Sequence, residues 1–433
     1  MNIVFNKVKL HNFMSFSDAE IDLDFPGFSL VMGMNENTND NAESNGSGKC
    51  FGAGTKIQMY DGSIKEVEDI VVGDTVLGWD STPRKVLEVH CGEGQLYKIE
   101  HYNDDYSYIC NEEHELVLRT PNMSGENSRK IIGISVKDYI DKSESWKNKH
   151  NQFVMPMYYG EKREWYIPPY MLGVWLGDGN SNSAEICNAD EEVIDYWKSL
   201  SEVYNLSIRE YQKKNNLAKT VRLVGKRGKP NPIMEELKRL NVFKNKHIPH
   251  EYLTASYEDR MELLAGLLDT DGYWHINYYE LSQVRENIID DTARLARSLG
   301  FRVSKFSKFV NQKEYFYLYI TGNHLHNIPM KVAHKKAINK KKQRADSISF
   351  NVKPVGYGKY YGFSIEGDGK FLLSNGLVVH NSSLFEAVTF ALTGETIRGI
   401  KGKDILKQGK KEGYVTLWFT IDNDEYEITR SIS

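Results

Sequence analysis

A phosphate-binding loop begins in this sequence and stops one residue short of completion. Residues 46–49 read Gly-Ser-Gly-Lys, but Cys50 stands where such a loop has Ser or Thr. His-Asn-Ser-Ser-Leu at 380–384 supplies the missing serine, Ser382, 332 residues later. Joining the lysine to Ser382 restores a loop that leads into an amphipathic helix. The loop is therefore complete only when residues 50–381 are removed.

Removal of that segment needs a nucleophile at each junction and a way to release the piece between them. The thiol of Cys50 can attack the carbonyl of Lys49 and convert that amide into a thioester. Ser382 can then take over the upstream segment, and Asn381 can cyclise onto its own carbonyl. Each step is intramolecular, and good orientation is worth an effective concentration on the order of 10⁵ M or more.

The residues beside both junctions resemble the splicing motifs of inteins. Cys-Phe-Gly-Ala-Gly-Thr at 50–55 is similar to the first motif, and residues 61–74 resemble the strands that follow it in the Hint fold. Residues 371–381 are similar to the two C-terminal motifs. The resemblance implies a mostly-β, horseshoe-like Hint domain in two parts, 50–160 and 346–381.

An internal intein motif, Thr-x-x-His, is matched with Asn111 in place of the threonine and His114 as the histidine. The resemblance implies that His114 protonates the leaving amine and polarises the scissile amide, with Asn111 beside it. It also implies that His380 assists the cyclisation of the asparagine. Gly362 and Gly369 stand where many inteins carry an acid and a histidine.

An internal repeat occupies the segment between the two Hint parts. Residues 263–272 read L-L-A-G-L-L-D-T-D-G, and 172–179 is a degenerate copy. The acidic positions of the copies, Asp178 and Asp271, are 93 residues apart. The repeat resembles the paired helices of LAGLIDADG homing endonucleases, which implies an α+β fold with a pseudo-two-fold axis over 161–345.

Small residues in both copies allow the two helices to pack closely, which would bring Asp178 and Asp271 together at the helix ends. The resemblance implies that these carboxylates bind Mg²⁺ and that double-stranded DNA is cleaved there. The expected DNA target is the uninterrupted host-gene site. A basic residue near the attacking water is expected from Lys246, with Lys331 or Lys335 as further candidates. Alternatively, each Asp-Gly pair only ends a helix.

Positive charge is concentrated in this middle segment. Residues 161–345 contain 30 Lys and Arg against 23 Asp and Glu, so they carry +7 in a chain of net charge −4. The excess fits a DNA footprint, although a solvated face would have the same composition. Tyr273, Trp274, Tyr278 and Tyr279 belong either to that DNA-binding surface or to the core.

The joined flanks, 1–49 and 382–433, amount to 101 residues. They resemble the start of an SMC-like ATPase of the SbcC type, or of the large subunit of a phage recombination endonuclease, which implies an α/β P-loop fragment. In the spliced loop Lys49 would reach the β- and γ-phosphates of ATP and Ser382 would ligate Mg²⁺. The residues expected to cradle ATP are Asn45, Gly46, Gly48, Lys49, Ser382 and Ser383.

The resemblance also implies that the host ATPase dimerises and pairs with a nuclease subunit. No second acidic motif or heptad pattern follows before Ser433, so we expect a truncated precursor that does not bind ATP until it is spliced. No apolar run of about 18 residues and no signal-peptide layout is present, which argues against a membrane protein. Four cysteines without paired spacing fit a cytoplasmic location.

Two alternatives fit the same residues. The chain could be an ATP-binding DNA-repair subunit whose insertion is never removed. It could also be an intein that only splices and whose insert is a vestigial DNA-binding module.

Overall fold

The computed structural model describes residues 3–13, 18–22, 49–121, 129–212, 214, 217–338, 347–380, 390–394, 412–422 and 424–432. Several expected site residues therefore lie outside the described residues: Asn45, Gly46, Gly48, Asn381, Ser382 and Ser383. Within the described part, no helix is both long enough and apolar enough to cross a membrane.

The strands of the first part of the chain are β1 (Ile3–His11), β2 (Asp18–Asp22), β3 (Phe51–Gly52), β4 (Lys56–Gln58), β5 (Ile64–Glu66), β6 (Thr75–Leu77), β7 (Pro83–His101), β8 (Tyr108–Asn111), β9 (Glu115–Arg119), β10 (Ile131–Ser135) and β11 (Gln152–Phe153). The middle contains β12 (Glu185–Asn188), β13 (Ser207–Gln212), β14 (Lys219–Val224), β15 (Gly272–Trp274), β16 (Tyr279–Gln283), β17 (Arg302–Val310) and β18 (Lys313–Thr321). The remaining strands are β19 (Ser347–Ile348), β20 (Phe350–Ile365), β21 (Lys370–Leu372), β22 (Val378–His380), β23 (Gly413–Ile421) and β24 (Asp424–Ile432).

The helices are α1 (Val136–Ile140), α2 (Glu144–Lys147), α3 (Pro169–Asp178), α4 (Glu191–Val203), α5 (Pro232–Arg239), α6 (His250–Leu253), α7 (Tyr257–Asp271) and α8 (Glu286–Ser298). Short 3₁₀ turns occur at Val67–Asp69, Asp104–Tyr106, Leu325–Asn327 and Ala333–Lys335. Residues 390–393 are also helical and belong to the segment after Ser382 in which a helix was expected.

Strands from the two flanks form one antiparallel sheet, which we call the flank sheet, in the order β2-β1-β23-β24. The register aligns Val8 with Leu417, and both side chains are buried. Alternation of apolar and polar residues gives each strand one inward face. The flanks therefore share a core while residues 50–381 still separate them, lined by Val8, Leu10, Phe13, Phe390, Ala391, Val415, Leu417, Phe419 and Ile432.

The β unit comprises residues 50–157 and 347–380, and its frame is the long antiparallel pair β7 and β20. β3 pairs with β20 and with β8, so Cys50, which immediately precedes β3, lies where three strands meet. The ring of Phe371 packs against that of Phe51, with centroids 6.1 Å apart, and against that of Phe363, with centroids 5.0 Å apart. The junction residue is thus fixed by a rigid, non-local set of strand pairings.

The repeat unit, residues 167–338, contains two similar halves. In the first half β12, β14 and β13 form a sheet in that order with α4 packed against it, and in the second half β16, β18 and β17 repeat the order with α8. α3 and α7 lie between the two sheets, and most of their residues are buried. A helix that is apolar on all sides, as α3 is over most of its length, needs such a position.

The two central helices cross at a pair of glycines. A Cβ on Gly173 would lie 2.4 Å from the carbonyl oxygen of Leu263, and a Cβ on Gly266 would lie 2.3 Å from that of Tyr170. Each hypothetical Cβ would also lie 3.0 Å from the Cα of the opposite glycine. The reciprocal contacts show the two-fold relation, and they leave no room for a side chain.

The β unit and the repeat unit contact each other through arginines. Arg260 is buried and donates hydrogen bonds to the carbonyl oxygen of Met157 and to the hydroxyl of Ser298. Arg297 forms an ion pair with Asp105, 2.5 Å apart. The repeat unit is therefore attached to the β unit at several points besides the two chain connections.

Replacing Gly266 with alanine should destabilise the repeat unit, because the new methyl group would overlap backbone atoms of α3. We expect a loss of about 1–3 kcal/mol in the free energy of unfolding, measured by denaturant titration. Glu202→Ala, on the exposed end of α4, is the matched control and should change that free energy by less than about 0.5 kcal/mol. Equal effects of the two substitutions would contradict the close crossing.

Candidate active sites

Cys50 is held on both sides by the backbone and side chain of Asn111. The N–H of Cys50, which belongs to the amide after Lys49, donates to Asn111 Oδ1 at 3.0 Å. The N–H of Asn111 donates to the carbonyl oxygen of Cys50 at 3.1 Å. Burial raises the pKa of the Cys50 thiol to about 12, with a contribution from Cys91. The thiol is therefore protonated at neutral pH and needs a proton acceptor before it can act as a nucleophile.

His114 lies in the turn that follows Asn111, and its backbone N–H donates to the Asn111 carbonyl oxygen at 3.2 Å. The imidazole is fully buried and packs edge-on against Phe51, with ring centroids 4.5 Å apart. Neither ring nitrogen has a hydrogen-bond partner in the described part of the chain. Burial, together with the charge of Lys49, lowers the pKa of His114 to about 3. The ring is thus neutral at pH 7 and offers a single N–H.

Glu115 links the residues that precede the two junctions, a role that the sequence did not suggest. Lys49 Nζ lies 2.7 Å from Glu115 Oε2 and 3.4 Å from His380 Nδ1. His380 Nδ1 lies 3.8 Å from the same carboxylate oxygen. Glu115 begins the buried strand β9, and an acid directly before Leu-Val-Leu was the one available signal. The structure thus places Lys49 and His380 at one site, although they are 331 positions apart.

The two glycines that depart from the intein pattern each have a structural reason. Gly362 lies opposite His90 in the β7–β20 ladder. A Cβ at Gly362 would lie 2.6 Å from His90 Nε2 and 2.7 Å from Cys50 Sγ. Gly369 has a φ of +74°, a conformation that favours glycine. A larger residue at Gly362 would therefore displace His90 or Cys50.

A second site lies at the ends of the central helices, where Asp178 ends α3 and Asp271 ends α7. Asn188 donates its side-chain amide to Asp178 Oδ2 at 2.5 Å, and Gln283 does the same to Asp271 Oδ2 at 2.5 Å. Both amides lie at the ends of equivalent strands, Asn188 on β12 and Gln283 on β16. They are a two-fold-related pair of partners that the sequence analysis missed.

The Asp178 carboxylate disfavours the ionisation of Asp271, and burial disfavours the ionisation of both acids. Burial raises the pKa of Asp178. Burial, followed by the neighbouring Asp178, raises the pKa of Asp271 to about 7. Asp271 Oδ2 lies 2.9 Å from where a Cβ of Gly177 would be, so it approaches the end of the opposite helix. Such a pair is suited to a site where a cation neutralises both charges.

Two lysines occupy equivalent places beside the acids. Lys246 Nζ donates to carbonyl oxygens at the end of α3, 2.9 and 2.6 Å away. Lys335 Nζ donates to carbonyl oxygens at the end of α7, 2.7 and 3.2 Å away. Burial lowers the pKa of Lys246 to about 8. Lys331, in contrast, lies over the rings of Tyr170 and Tyr196.

Asp269, the other acid of the second repeat copy, has a structural role. Its Oδ2 accepts the hydroxyl of Tyr170 and the backbone N–H of Lys331, each at 2.7 Å. The side chain is fully buried, and the first copy has Leu176 at the corresponding position. The two halves therefore agree in one acid each, Asp178 and Asp271.

The sheet β15-β16-β18-β17 carries aromatic and basic residues. The side chain of Tyr273 is exposed, whereas Tyr279 is buried in the core. Phe306 stacks on Tyr317 with centroids 5.2 Å apart, and Lys308 lies over both rings. The four aromatic residues singled out in the sequence thus divide between the surface and the core.

A divalent cation fits the donor set at the helix ends. The described residues contain no group of three or more His, Cys, Asp and Glu that could hold a metal alone. Two carboxylates with water and substrate phosphate completing the shell are the usual site for Mg²⁺. Asp178 and Asp271 are the residues that would hold it.

Two family models match this chain. Residues 50–155 match "Hom_end-associated Hint" and residues 247–347 match "Homing endonuclease". The first match contains the Cys50–Asn111–His114 site, and the second contains α7 and Asp271. Together they indicate an enzyme with autoprocessing and endonuclease activities.

Curated relatives include the replicative DNA helicase DnaB of Mycobacterium intracellulare, 27% identical over 73% of this chain and 56% of its own length. Another is the catalytic subunit of the V-type proton ATPase of Candida tropicalis, 23% identical over 77% of this chain and 43% of its own length. The chain thus spans about half the length of the curated relatives it matches.

Solved structures of the homing endonuclease I-DmoI resemble 36% of this chain and 82% of theirs, at 14% identity and a TM-score of 0.29. The gp41-1 intein resembles 24% of this chain and 67% of its own, at 25% identity and a TM-score of 0.17. Likeness at these TM-scores assigns no residue a role.

The stability of the repeat unit should depend on the ionisation of Asp271. Because its pKa is raised from about 4 to about 7 on folding, the free energy of unfolding should fall as the pH rises through that window, by on the order of 4 kcal/mol. Asp271→Asn stays neutral and should lose much less between about pH 5 and pH 8. Thermal unfolding across that range measures the difference.

Added Mg²⁺ supplies the control for this prediction. It should raise the Tm of the unmodified chain at about pH 8, and it should not do so when Asp178 and Asp271 are both changed to Asn. A pH profile of Asp271→Asn that matches that of the unmodified chain would argue against a coupled buried carboxylate.

Proposed function

We propose that this chain is a self-splicing precursor that excises residues 50–381 and joins its flanks. The observation that supports this most strongly is the meeting of Lys49, Glu115 and His380, because it brings the residues before both junctions to one place. The flank sheet supports it further, since both flanks are already assembled on each other.

The reaction begins with the Cys50 thiol attacking the carbonyl carbon of Lys49. The carbon–nitrogen bond between them breaks, a thioester forms, and the nitrogen takes a proton. Asn111 Oδ1 holds the N–H of this amide. Neutral His114, buried against Phe51, offers an N–H rather than a positive charge to the departing nitrogen. Burial of these groups strengthens each hydrogen bond.

The later steps use Ser382 and Asn381. The serine hydroxyl attacks the thioester carbonyl and releases the Cys50 thiol, which transfers the upstream flank. Asn381 then cyclises onto its own carbonyl, and the excised segment leaves. His380, held within reach of Glu115, would orient the asparagine or move its proton. An acyl shift from oxygen to nitrogen restores a peptide bond between the flanks.

We also propose that the repeat unit is a site-specific endonuclease acting on double-stranded DNA that carries the uninterrupted host site. A bound Mg²⁺ would polarise the scissile phosphate and activate water. Asp178 and Asp271 would hold it, while their amide partners Asn188 and Gln283 fix the carboxylate orientation. The lysines Lys246 and Lys335 supply positive charge on each side of the two-fold axis.

The host, in this proposal, is a P-loop ATPase of the SMC-like class used in DNA repair or recombination. Support comes from the restored loop at Lys49–Ser382 and from the flank sheet. ATP and Mg²⁺ would bind only after ligation, since Lys49 is paired with Glu115 in the precursor. Dimerisation, a nuclease partner and a cytoplasmic location are proposed with the host class.

Expression of the chain should yield an excised piece of 332 residues and a ligated product of 101 residues, identified by intact mass. Cys50→Ala should block the first step because no thiol remains to attack Lys49. Cys187→Ala, an exposed cysteine in the repeat unit, is the matched control and should splice normally. An intact chain that is unchanged by Cys50→Ala would support the alternative of a permanent insertion.

Cleavage of DNA should require both acids. With Mg²⁺ and DNA carrying the joined coding sequence for the phosphate loop, we expect double-strand cleavage that falls by at least about 10²-fold in Asp178→Asn or Asp271→Asn. Asp195→Asn, exposed on α4, is the control that keeps the formal charge change equal. Splicing without any cleavage would favour a vestigial insert.

A further inference from the structure

His90 shares a single small space with the nucleophile of the first splicing step. Two atoms, His90 Nε2 and Cys50 Sγ, lie 2.6 and 2.7 Å from the position that a Cβ of Gly362 would occupy. They are therefore at most 5.3 Å apart, the sum of those distances. The space exists because residue 362 is a glycine, and no motif identified in the sequence included His90.

The frame around this space is rigid. His90 and Gly362 are direct partners in the ladder of β7 and β20, and Cys50 enters the same ladder through the pairing of Phe51 with Tyr361. The imidazole of His90, on β7, therefore occupies the space that a side chain at position 362 of β20 would otherwise fill. Many inteins have an acid and a histidine where this chain has Gly362, on β20, and Gly369, in the turn after it.

The thiol has a chemical need for such a group. Burial raises the pKa of Cys50 to about 12, so hardly any thiolate exists at neutral pH. Burial lowers the pKa of His90 to about 4, so its imidazole is neutral at pH 7. Because burial disfavours each isolated charge, the ring can hold the thiol proton only while the thiolate lies beside it. His114 is neutral too, but its ring packs against Phe51, in the turn after Asn111.

We propose that His90 is a catalytic residue of the first splicing step, in which it accepts the proton of Cys50 Sγ. As the Sγ–carbon bond to Lys49 forms and the amide bond breaks, the proton ends on the freed amino group of Cys50. His90 thereby returns to its neutral form, and no proton is gained or lost overall. This inference rests on the proposed splicing function. It assigns a base for the first step in a chain where Gly362 and Gly369 have no side chain that could act as one.

Tyr360 is the competing neighbour. Its phenol interacts with Cys50 and with Cys91, and its pKa is raised by burial first and by Cys50 next. A protonated phenol cannot accept the thiol proton. Tyr360→Phe therefore serves as a control that removes a nearby hydroxyl and leaves His90 in place.

The test isolates the first step. In a chain carrying Asn381→Ala and Ser382→Ala, the thioester can form but the later steps cannot occur. Dithiothreitol then cleaves the thioester and releases residues 1–49, and it also keeps Cys91 reduced. In this background we expect His90→Gly and His90→Gln to slow release by about 10²-fold or more, and Tyr360→Phe to change it by less than about threefold.

Rescue separates proton transfer from support of the fold. Added imidazole should restore release in His90→Gly by filling the vacated space, and it should have no effect on Cys50→Ala. The double variant His90→Gly with Gly362→His places a histidine in the same space from β20 instead of β7, and it should also restore release. Gly362→His alone should be slow, because its side chain would overlap His90 and Cys50.

Unchanged release in His90→Gly, alongside rapid release in the parent background, would overturn the role of His90 and leave splicing intact. Slow release that neither imidazole nor the second histidine restores would overturn it as well. Failure of the parent background to release residues 1–49 under dithiothreitol would instead contradict the splicing function, and the inference with it.

Discussion

The carboxylate of Glu115 lies between the residues that precede the two proposed junctions, 2.7 Å from Lys49 and 3.8 Å from His380. Both partners are largely shielded from water, so the ion pair is less screened than a surface pair. Removing one partner would leave a charge poorly compensated. The chemistry proposed at Cys50 and Asn381 depends on this contact, because two ends separated by a whole insert must act in sequence at one place.

The remainder of the structure keeps that site assembled. β7 precedes the repeat unit in sequence and β20 follows it, and the two strands pair in a long antiparallel ladder. β1 and β23 pair in the same way and join the two flanks. Strand pairing therefore joins the parts of the chain before and after the repeat unit at two places, in the β unit and in the flank sheet. In the repeat unit, the close approach of Gly173 and Gly266 allows α3 and α7 to pack together, and this places Asp178 and Asp271 at the same end of the helix pair.

Local sequence patterns predicted many of these elements. The paired helices implied by the repeat at 172–179 and 263–272 are α3 and α7. The Asn111–His114 turn could be found because its residues are close together in sequence. Such features depend on periodicity or on a short motif, which a single sequence displays directly.

The residues that sequence reasoning missed act across long separations. Glu115 is paired with a lysine 66 positions away, and His90 reaches Cys50 across a ladder. Asn188 and Gln283 are ordinary polar residues until their strands place them on the acids. Lys335 could not be chosen over Lys331 until the end of α7 was located. Each assignment needed the strand register, which composition and spacing leave open.

A double-mutant cycle on Lys49 and Glu115 tests the central claim most directly. Splicing rates would be measured for Lys49→Met, Glu115→Gln and the double variant, with Lys56→Met and Glu113→Gln as controls. We predict that each single substitution slows splicing by about tenfold or more, and that the double variant is no slower than the slower single variant. Independent, multiplying effects of the two substitutions, or rates equal to that of the unmodified chain, would contradict the account.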